Sequence, residues 1–354
     1  MNPLHMLGWD QAISVQDESQ FARVITVQKN SYQVSDGETE YIAHVSGRFL
    51  NEATDTLDFP AVGDWVKVQK LKMEKKAVIT GLLARKSAFI RQAAGFKTEA
   101  QVVAANMDYV LIVHSLNHDL NVRRMERYIL STYESGASPI IVLTKADQCS
   151  LDDVEQAIEK IEEVAIGIPI VPISSITGQG LEQLVPYIEK GKTIVLLGSS
   201  GVGKSTLINV WMERDVQVTQ TIREDDSKGR HTTTHRELFL LPNGAMVIDT
   251  PGMRELQLWD GDTALDTTFQ DIEAFAEACK FRDCQHETEP GCRVQEAIAV
   301  GELSEGRYQS YLKLQRELAF EQRRQDQKAK LLEKSKWKQI TKQQKSHYKQ
   351  TKKK

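Results

Sequence analysis

Residues Gly198, Ser199, Ser200, Gly201, Val202, Gly203, Lys204 and Ser205 fit the pattern G-x-x-x-x-G-K-[ST]. That spacing suits phosphate chemistry. Glycines let the backbone curl until its N–H groups surround an anion, the lysine neutralises the β- and γ-oxygens, and the hydroxyl after it ligates Mg²⁺. The run follows the apolar stretch Thr193–Leu197 and opens a helical pattern over Thr206–Glu213, so Thr206 joins the cradle. A glycine-rich turn arising by chance would lack this strand-before, helix-after context. A second acidic signal, Asp249-Thr250-Pro251-Gly252, ends the apolar run Ala245–Ile248. Alone it reads as a turn. Downstream of a phosphate loop it supplies a carboxylate for Mg²⁺ at Asp249 and a backbone N–H for the γ-phosphate at Gly252.

Thr144-Lys145-Ala146-Asp147 follows the apolar run Pro139–Leu143 and resembles the Asn-Lys-x-Asp motif with which GTPases read their base. An Asp carboxylate there accepts two hydrogen bonds from guanine, at N1–H and the 2-amino group. Adenine offers no such donor pair, so Asp147 selects GTP over ATP. Thr144 stands where the motif has Asn, which predicts a weaker brace to the phosphate loop. Ser174 and Ser175 come one apolar run later, where GTPases place a loop whose backbone contacts guanine O6. Gly229-Arg230-His231-Thr232-Thr233-Thr234 lies between the phosphate loop and Asp249 and reads as a switch, with Thr233 and Thr234 as further Mg²⁺ ligands. The base motif precedes the phosphate loop, the reverse of the Ras-like order. This is a circular permutation, which a core tolerates when surface loops are cut and rejoined.

Cys279, Cys284, His286 and Cys292 supply four soft donors in one short stretch. Three cysteines and a histidine form a tetrahedral Zn²⁺ set with no position left for a catalytic water, which predicts one structural zinc per chain. Free buried thiols beside a surface histidine are the plainer alternative.

Around these residues the chain must supply elements to hold them. At 354 residues it is long enough for two or three domains. Hydrophobic residues at 40% and charged residues at 27% indicate a packed globular protein rather than a disordered one. No apolar run approaches the roughly 20 residues of a membrane span. The first twenty positions carry Asp10, Asp17 and Glu18 without an apolar block, so no secretory leader is expected and the protein is placed in the cytoplasm. Net charge is −4, yet from residue 313 onward 15 Lys/Arg stand against 4 Asp/Glu, a net +11, leaving 30 against 45, or −15, in the rest. An acidic body with a basic tail suits a polyanion-binding appendage; a merely solvated end would look the same.

Short β-like runs punctuated by glycine, such as Tyr41–Val45 and the alternating Asp64–Val68, predict a closed barrel of the oligonucleotide-binding (OB) type over 1–92. Residues 93–105 lack strand periodicity and read as a linker. From 106 to 262 continuous apolar runs alternate with helical spacing, as at Val122, Met125, Ile129 and Tyr133. That pattern predicts a doubly wound parallel sheet, the permuted P-loop GTPase domain. Residues 263–354 form a helical zinc-binding domain and a basic tail, in which Tyr308, Tyr311 and Leu318 read as a packed helical face and Trp337 and Tyr348 as RNA-contacting aromatics.

A barrel in front, a permuted GTPase core and a Cys/His cluster behind together resemble the ribosome small subunit-dependent GTPase A family, circularly permuted P-loop GTPases also called small ribosomal subunit biogenesis GTPases. The resemblance spans nearly the whole chain and is most specific at Gly198–Ser205, Gly229–Thr234, Asp249–Gly252 and the cysteine spacing. It implies a GTP hydrolase stimulated by the small ribosomal subunit and assisting its late maturation. It also implies rRNA contacts by barrel and tail, Mg²⁺ with GTP, and a monomer with no membrane partner. In Ras-like enzymes a Gln after the D-x-x-G motif orients the attacking water; here Met253 occupies that position and has no donor. The resemblance points to His231 as the catalytic group beside Lys204, with His235 its competitor. Two rivals remain at this stage: an RNA-binding protein using the nucleotide only as a ligand switch, and an ATPase. Intact Lys204, Ser205 and Asp249 speak against the first, Asp147 against the second.

Overall fold

A computed structural model describes residues 3–9, 17–28, 31–92, 100–116, 120–213, 236–249 and 262–323. The chain divides into two compact units, residues 1–257 with 266–270, and residues 258–265 with 271–354.

The first unit opens with five barrel strands: β1 (Phe21–Val27), β2 (Tyr32–Ser35), β3 (Glu40–Val45), β4 (Trp65–Leu71) and β5 (Lys76–Leu82). Helix α1 (Gly47–Glu52) follows β3. The strand order is β1-β2-β3-β5-β4, and β4 returns to pair with β1, closing the barrel. Along β3 exposed and buried residues alternate, which puts Tyr41 and Ala43 inside with Val24, Val34, Val66, Val68 and Ile79.

Of the strandless linker expected over 93–105, residues 93–99 lie outside the described residues and 100–105 overturn the expectation. Ala100–Ala105 forms β7, paired antiparallel with β6 (Ala88–Gln92). Alanines at both ends weaken the strand signal in the sequence. Burial of Val102, Val103, Ala104 and Ala105 supplies what propensity does not.

The α/β sheet comprises β8 (Tyr109–Ser115), β9 (Ser138–Thr144), β10 (Ile170–Pro172), β11 (Thr193–Leu197), β12 (Glu237–Leu240) and β13 (Met246–Asp249). Its order is β10-β9-β8-β11-β13-β12, with only β12 antiparallel to its neighbour. Helices α2 (Val122–Ser135), α3 (Leu151–Glu162) and α4 (Lys204–Met212) connect the strands. Successive strand residues bury on opposite faces: Ile112, Ile141, Val195 and Ile248 on one side, Leu111, Ile140, Ile194 and Val247 on the other. A sheet covered on both sides explains why these strands read as unbroken apolar runs. Barrel and α/β sheet are continuous, because β1 pairs with β12 through Thr26 and Glu237. The fully buried Arg23 of β1 ties the same junction, donating to the carbonyls of Leu7 (2.5 Å), Gly63 (3.1 Å) and Asn106 (3.3 Å). Burial lowers its pKa to about 10, still well above neutrality.

Helices α5 (Asp262–Thr268) and α6 (Gln270–Glu277) span the boundary between units. Within the second unit, α7 (Arg293–Val300) and a helix over 305–323 follow the cysteine stretch. Tyr308, Tyr311 and Leu318 are buried, as their helical spacing predicts. Arg307 grips Asp271 with two bonds, Nε to Oδ2 at 2.6 Å and Nη2 to Oδ1 at 2.7 Å. Among the described residues no helix is long and apolar enough to cross a membrane.

Candidate nucleotide site and metal centre

Strand β11 is buried along its whole length, between parallel partners β8 and β13. The chain reaches β11 only after running outward through β9 and β10, so the order reverses between β8 and β11. Ligands of doubly wound sheets bind outside the strands' carboxyl ends at such a reversal. The loop Gly198–Ser205 begins there. Gly198 has φ +150°, and a Cβ on it would lie 2.2 Å from the Val113 carbonyl oxygen of β8. Only glycine lets the loop pass this close to the neighbouring strand. Gly201 and Gly203 have φ +81° and +98°, left-handed values that curl the loop and that glycine adopts without strain. Lys204 starts α4, and its Nζ donates to the carbonyls of Gly198 at 2.7 Å and Ser199 at 2.5 Å. The ammonium is thereby fixed across the loop beside the positive end of α4.

The base motif ends β9. Thr144 is buried, and its Oγ1 donates toward the Val202 carbonyl (2.6 Å) with the His114 carbonyl at 3.2 Å. Thr144 does brace the loop, through this short hydroxyl–carbonyl bond. Lys145 takes φ +63°, turning the chain so that Asp147 falls in an exposed 3-10 turn, Ala146–Gln148. The Ala146 N–H donates to the Ile173 carbonyl (3.1 Å), joining this turn to the loop after β10. There Ser174 is buried and its Oγ accepts from the N–H groups of Ile176 (3.3 Å) and Thr177 (3.1 Å), while Ser175 is half-buried.

Asp249 is the last residue of β13, half-buried, at the same carboxyl edge as the phosphate loop. Thus Lys204, Ser205, Asp249, Thr144, Asp147 and Ser174 all lie at one end of one sheet, although they are scattered over a hundred positions of sequence. Gly252 and the segment 229–234, with His231, Thr233 and Thr234, lie outside the described residues, as do His235, Met253, Trp337 and Tyr348. One contact has no signature in the sequence. Arg124 of α2 donates from Nη1 to the Ser199 Oγ at 2.6 Å, across 75 residues. Nothing in the spacing around Arg124 signals a partner in the loop, since only the topology brings α2 alongside it.

In the second unit the four soft donors converge. The ligand atoms of Cys279, Cys284, His286 and Cys292 all lie within 4.8 Å of one another. His286 Nδ1 is 3.5 Å from Cys279 Sγ and 3.4 Å from Cys292 Sγ, and those sulfurs are 4.0 Å apart. Edges of this length fit a tetrahedron with metal–sulfur bonds of about 2.3 Å and metal–nitrogen bonds of about 2.0 Å. Cys292 caps α7, accepting from the Gln295 N–H at 3.4 Å. Burial raises the Cys279 thiol, but backbone N–H groups of Val294 and Arg293 outweigh it and hold the pKa below the ordinary thiol value. Cys284 is pushed up to about 11 by burial and then by its sulfur neighbours, against the His286 N–H. A cation among them lifts the penalty on a further thiolate. The His286 carbonyl is anchored by Gln295 Nε2 (2.6 Å) and the Tyr308 hydroxyl (3.0 Å), so the buried face of the helix over 305–323 locks the cluster's loop. The Cys₃His set can hold a metal ion.

Comparison with known proteins agrees with this geometry. The family model described as RsgA GTPase matches residues 82–259. The model for ABC transporters matches residues 181–347, a span that contains the phosphate loop but begins after Thr144–Asp147. The small ribosomal subunit biogenesis GTPase RsgA 1 of Oceanobacillus iheyensis is 48% identical over 92% of this chain and 93% of that protein. RsgA 2 of Lactiplantibacillus plantarum is 47% identical over 84% of this chain and 83% of its own length. Among solved structures, YjeQ from Thermotoga maritima superposes with a TM-score of 0.63 at 27% identity, covering 85% of this chain and 98% of that one. YloQ, described as a circularly permuted GTPase, gives 0.61 at 27% identity, covering 84% and 94%. With a family model over half its length and relatives matched nearly end to end, the chain belongs to the RsgA GTPase family.

Proposed function

We propose that this chain hydrolyses GTP in the course of small ribosomal subunit maturation, with its turnover stimulated by the subunit. The observation that carries the reading is the convergence of Lys204, Ser205, Asp249 and the braced Thr144–Asp147 turn at the carboxyl edge of one sheet. The names of its relatives, small ribosomal subunit biogenesis GTPases, supply the maturation context.

In this reading Gly198–Thr206 cradles the phosphates and Lys204 neutralises them. Asp147 accepts from guanine, the Ser174–Ser175 loop faces its O6, and the Gly252 N–H reaches the γ-phosphate. Ser205 and Asp249, with Thr233 and Thr234, would hold Mg²⁺, whose charge counters that developing on the transferred phosphoryl group. His231 orients the attacking water in place of a glutamine, since Met253 has no donor. Cys279, Cys284, His286 and Cys292 hold one structural zinc, supported by the convergence of their ligand atoms within 4.8 Å of one another. We further read 1–92 as the barrel, 106–262 as the GTPase domain and 263–354 as the zinc module and tail. Barrel and basic tail grip rRNA, the nucleotide domain switches between GTP and GDP, and the protein works as a cytoplasmic monomer.

Turnover of GTP and of ATP by the full chain, with and without purified small subunits, tests the reading. GTP hydrolysis should rise at least tenfold with subunits and ATP should be left untouched. No stimulation, or equal use of ATP, would overturn it.

A further inference from the structure

The phosphate loop is braced at Gly198 by the close pass to Val113 and at Val202 by Thr144. A third brace comes from α2, where the Arg124 guanidinium donates to the Ser199 hydroxyl at 2.6 Å. Ser199 is also one of the two residues whose carbonyls hold Lys204 Nζ. A continuous line of bonds therefore runs from α2 through Ser199 to the ammonium group. We infer that Arg124 is a positioning residue for the phosphate-loop lysine, acting through Ser199.

The anchor at the far end of this line is firm. Asn121 caps α2, its Oδ1 accepting from the Arg124 N–H at 3.0 Å, so the residue sits in a pinned first turn. Met125, Ile129 and Glu126 of the same helix are buried, and Glu126 pairs with Arg123 at 2.7 Å. Arginine suits this task better than a neutral donor. Its planar fork keeps direction, and its bond to a hydroxyl is charge-assisted. Val113 and Thr144 act on backbone at the ends of the curl. Arg124 acts on the residue that shares its carbonyl with the lysine, so its removal should be felt at the phosphates while the curl itself stays intact.

The inference rests on the reading that this loop binds GTP, and one set of proteins separates the two. Full-length wild type, Arg124→Ala, Arg124→Lys, Ser199→Ala and the Arg124→Ala/Ser199→Ala double variant are compared. Affinity for GDP and a non-hydrolysable GTP analogue, steady-state GTP turnover, and melting without nucleotide are measured for each. Arg124→Ala should weaken the analogue about tenfold, with KM rising about as much and kcat falling less than about threefold. Ser199→Ala should match it, the double variant should be no worse than either single one, and Arg124→Lys should regain part of the loss. Guanine-over-adenine selectivity should not change. Wild-type affinity in Arg124→Ala overturns the inference. So do additive losses in the double variant, or an affinity loss in Arg124→Ala that Ser199→Ala does not share. A wild-type chain that binds no guanine nucleotide overturns the reading of the loop, and the inference with it.

Discussion

The phosphate loop and the cysteine cluster are both small constellations, but they are assembled in opposite ways. All four donors of the cluster come from residues 279–292, with the His286 carbonyl of that stretch tied from outside it by Gln295 and Tyr308. The phosphate loop is contiguous in sequence too, yet its shape is imposed from outside, by Arg124 and Thr144, 75 and 58 residues away from their partners, and by Val113 of β8. With the zinc proposed for it, the local site depends on the ion that fills it. The distributed site depends on the sheet that carries it, and exists as a shape once β8, β9, β11 and α2 have packed. The two sites should therefore fail for different reasons and at different places.

Metal removal should give the largest effect and the sharpest separation. Structural zinc contributes on the order of 10 kcal/mol in small modules, so ligand binding and folding are one equilibrium there. Cys284→Ser, or chelation of the wild type, is expected to abolish the melting transition of the unit containing 271–354 while leaving GDP affinity within about twofold. Calorimetry with metal analysis and a nucleotide titration reads both. A parallel collapse of GDP binding would break the contrast between local and distributed sites.

Gly198→Ala attacks the distributed site at its tightest point. Its Cβ would meet the Val113 carbonyl at 2.2 Å, with a backbone φ of +150° that alanine tolerates poorly. Because the obstacle is backbone in a central strand, neither side can yield cheaply. A loss of about 2–4 kcal/mol in folding stability is expected, with GTP affinity falling more than about tenfold. Denaturant unfolding and a GTP-analogue titration check it. Wild-type values in both would show that β8 does not shape the loop.

What could be read from the sequence follows the same division. The convergence of Cys279, Cys284, His286 and Cys292 was legible from residue type and spacing, because all four donors lie in one stretch of the chain. Gly198–Ser205 was legible because each glycine answers a backbone requirement, confirmed by positive φ at Gly198, Gly201 and Gly203. The α/β strands were legible because burial on both faces makes them continuously apolar. Strand β7 was missed: its alanines carry little β signal, and pairing with β6 decides its state. Arg124 was missed for a related reason. A surface-looking arginine on an amphipathic helix acquires its partner from sheet order, which no local pattern encodes. The continuity of barrel and α/β sheet through Thr26 and Glu237 is invisible in the same way.

Thr144 offers the mildest and most discriminating probe, since it tests how much the short brace contributes. From sequence, threonine in place of asparagine weakens the brace; in the structure its hydroxyl sits 2.6 Å from the Val202 carbonyl. Thr144→Val keeps the shape of the side chain and removes only the hydroxyl. Thr144 is 2% exposed, so little water can take over the bond. The expected cost is about 1 kcal/mol, felt as roughly fivefold weaker GTP binding. Thr144→Ser keeps the hydroxyl and should bind within about twofold of wild type, because the bond and not the methyl group carries the effect. Isothermal titration of the three proteins with GDP and a GTP analogue decides it. Were valine to bind as well as threonine, the hydroxyl would be a bystander and the loop would stand on Gly198 and Ser199 alone. If serine instead fell as far as valine, packing of the methyl group against Gly203, whose added Cβ would lie 3.8 Å from Thr144 Cγ2, would be the brace that matters.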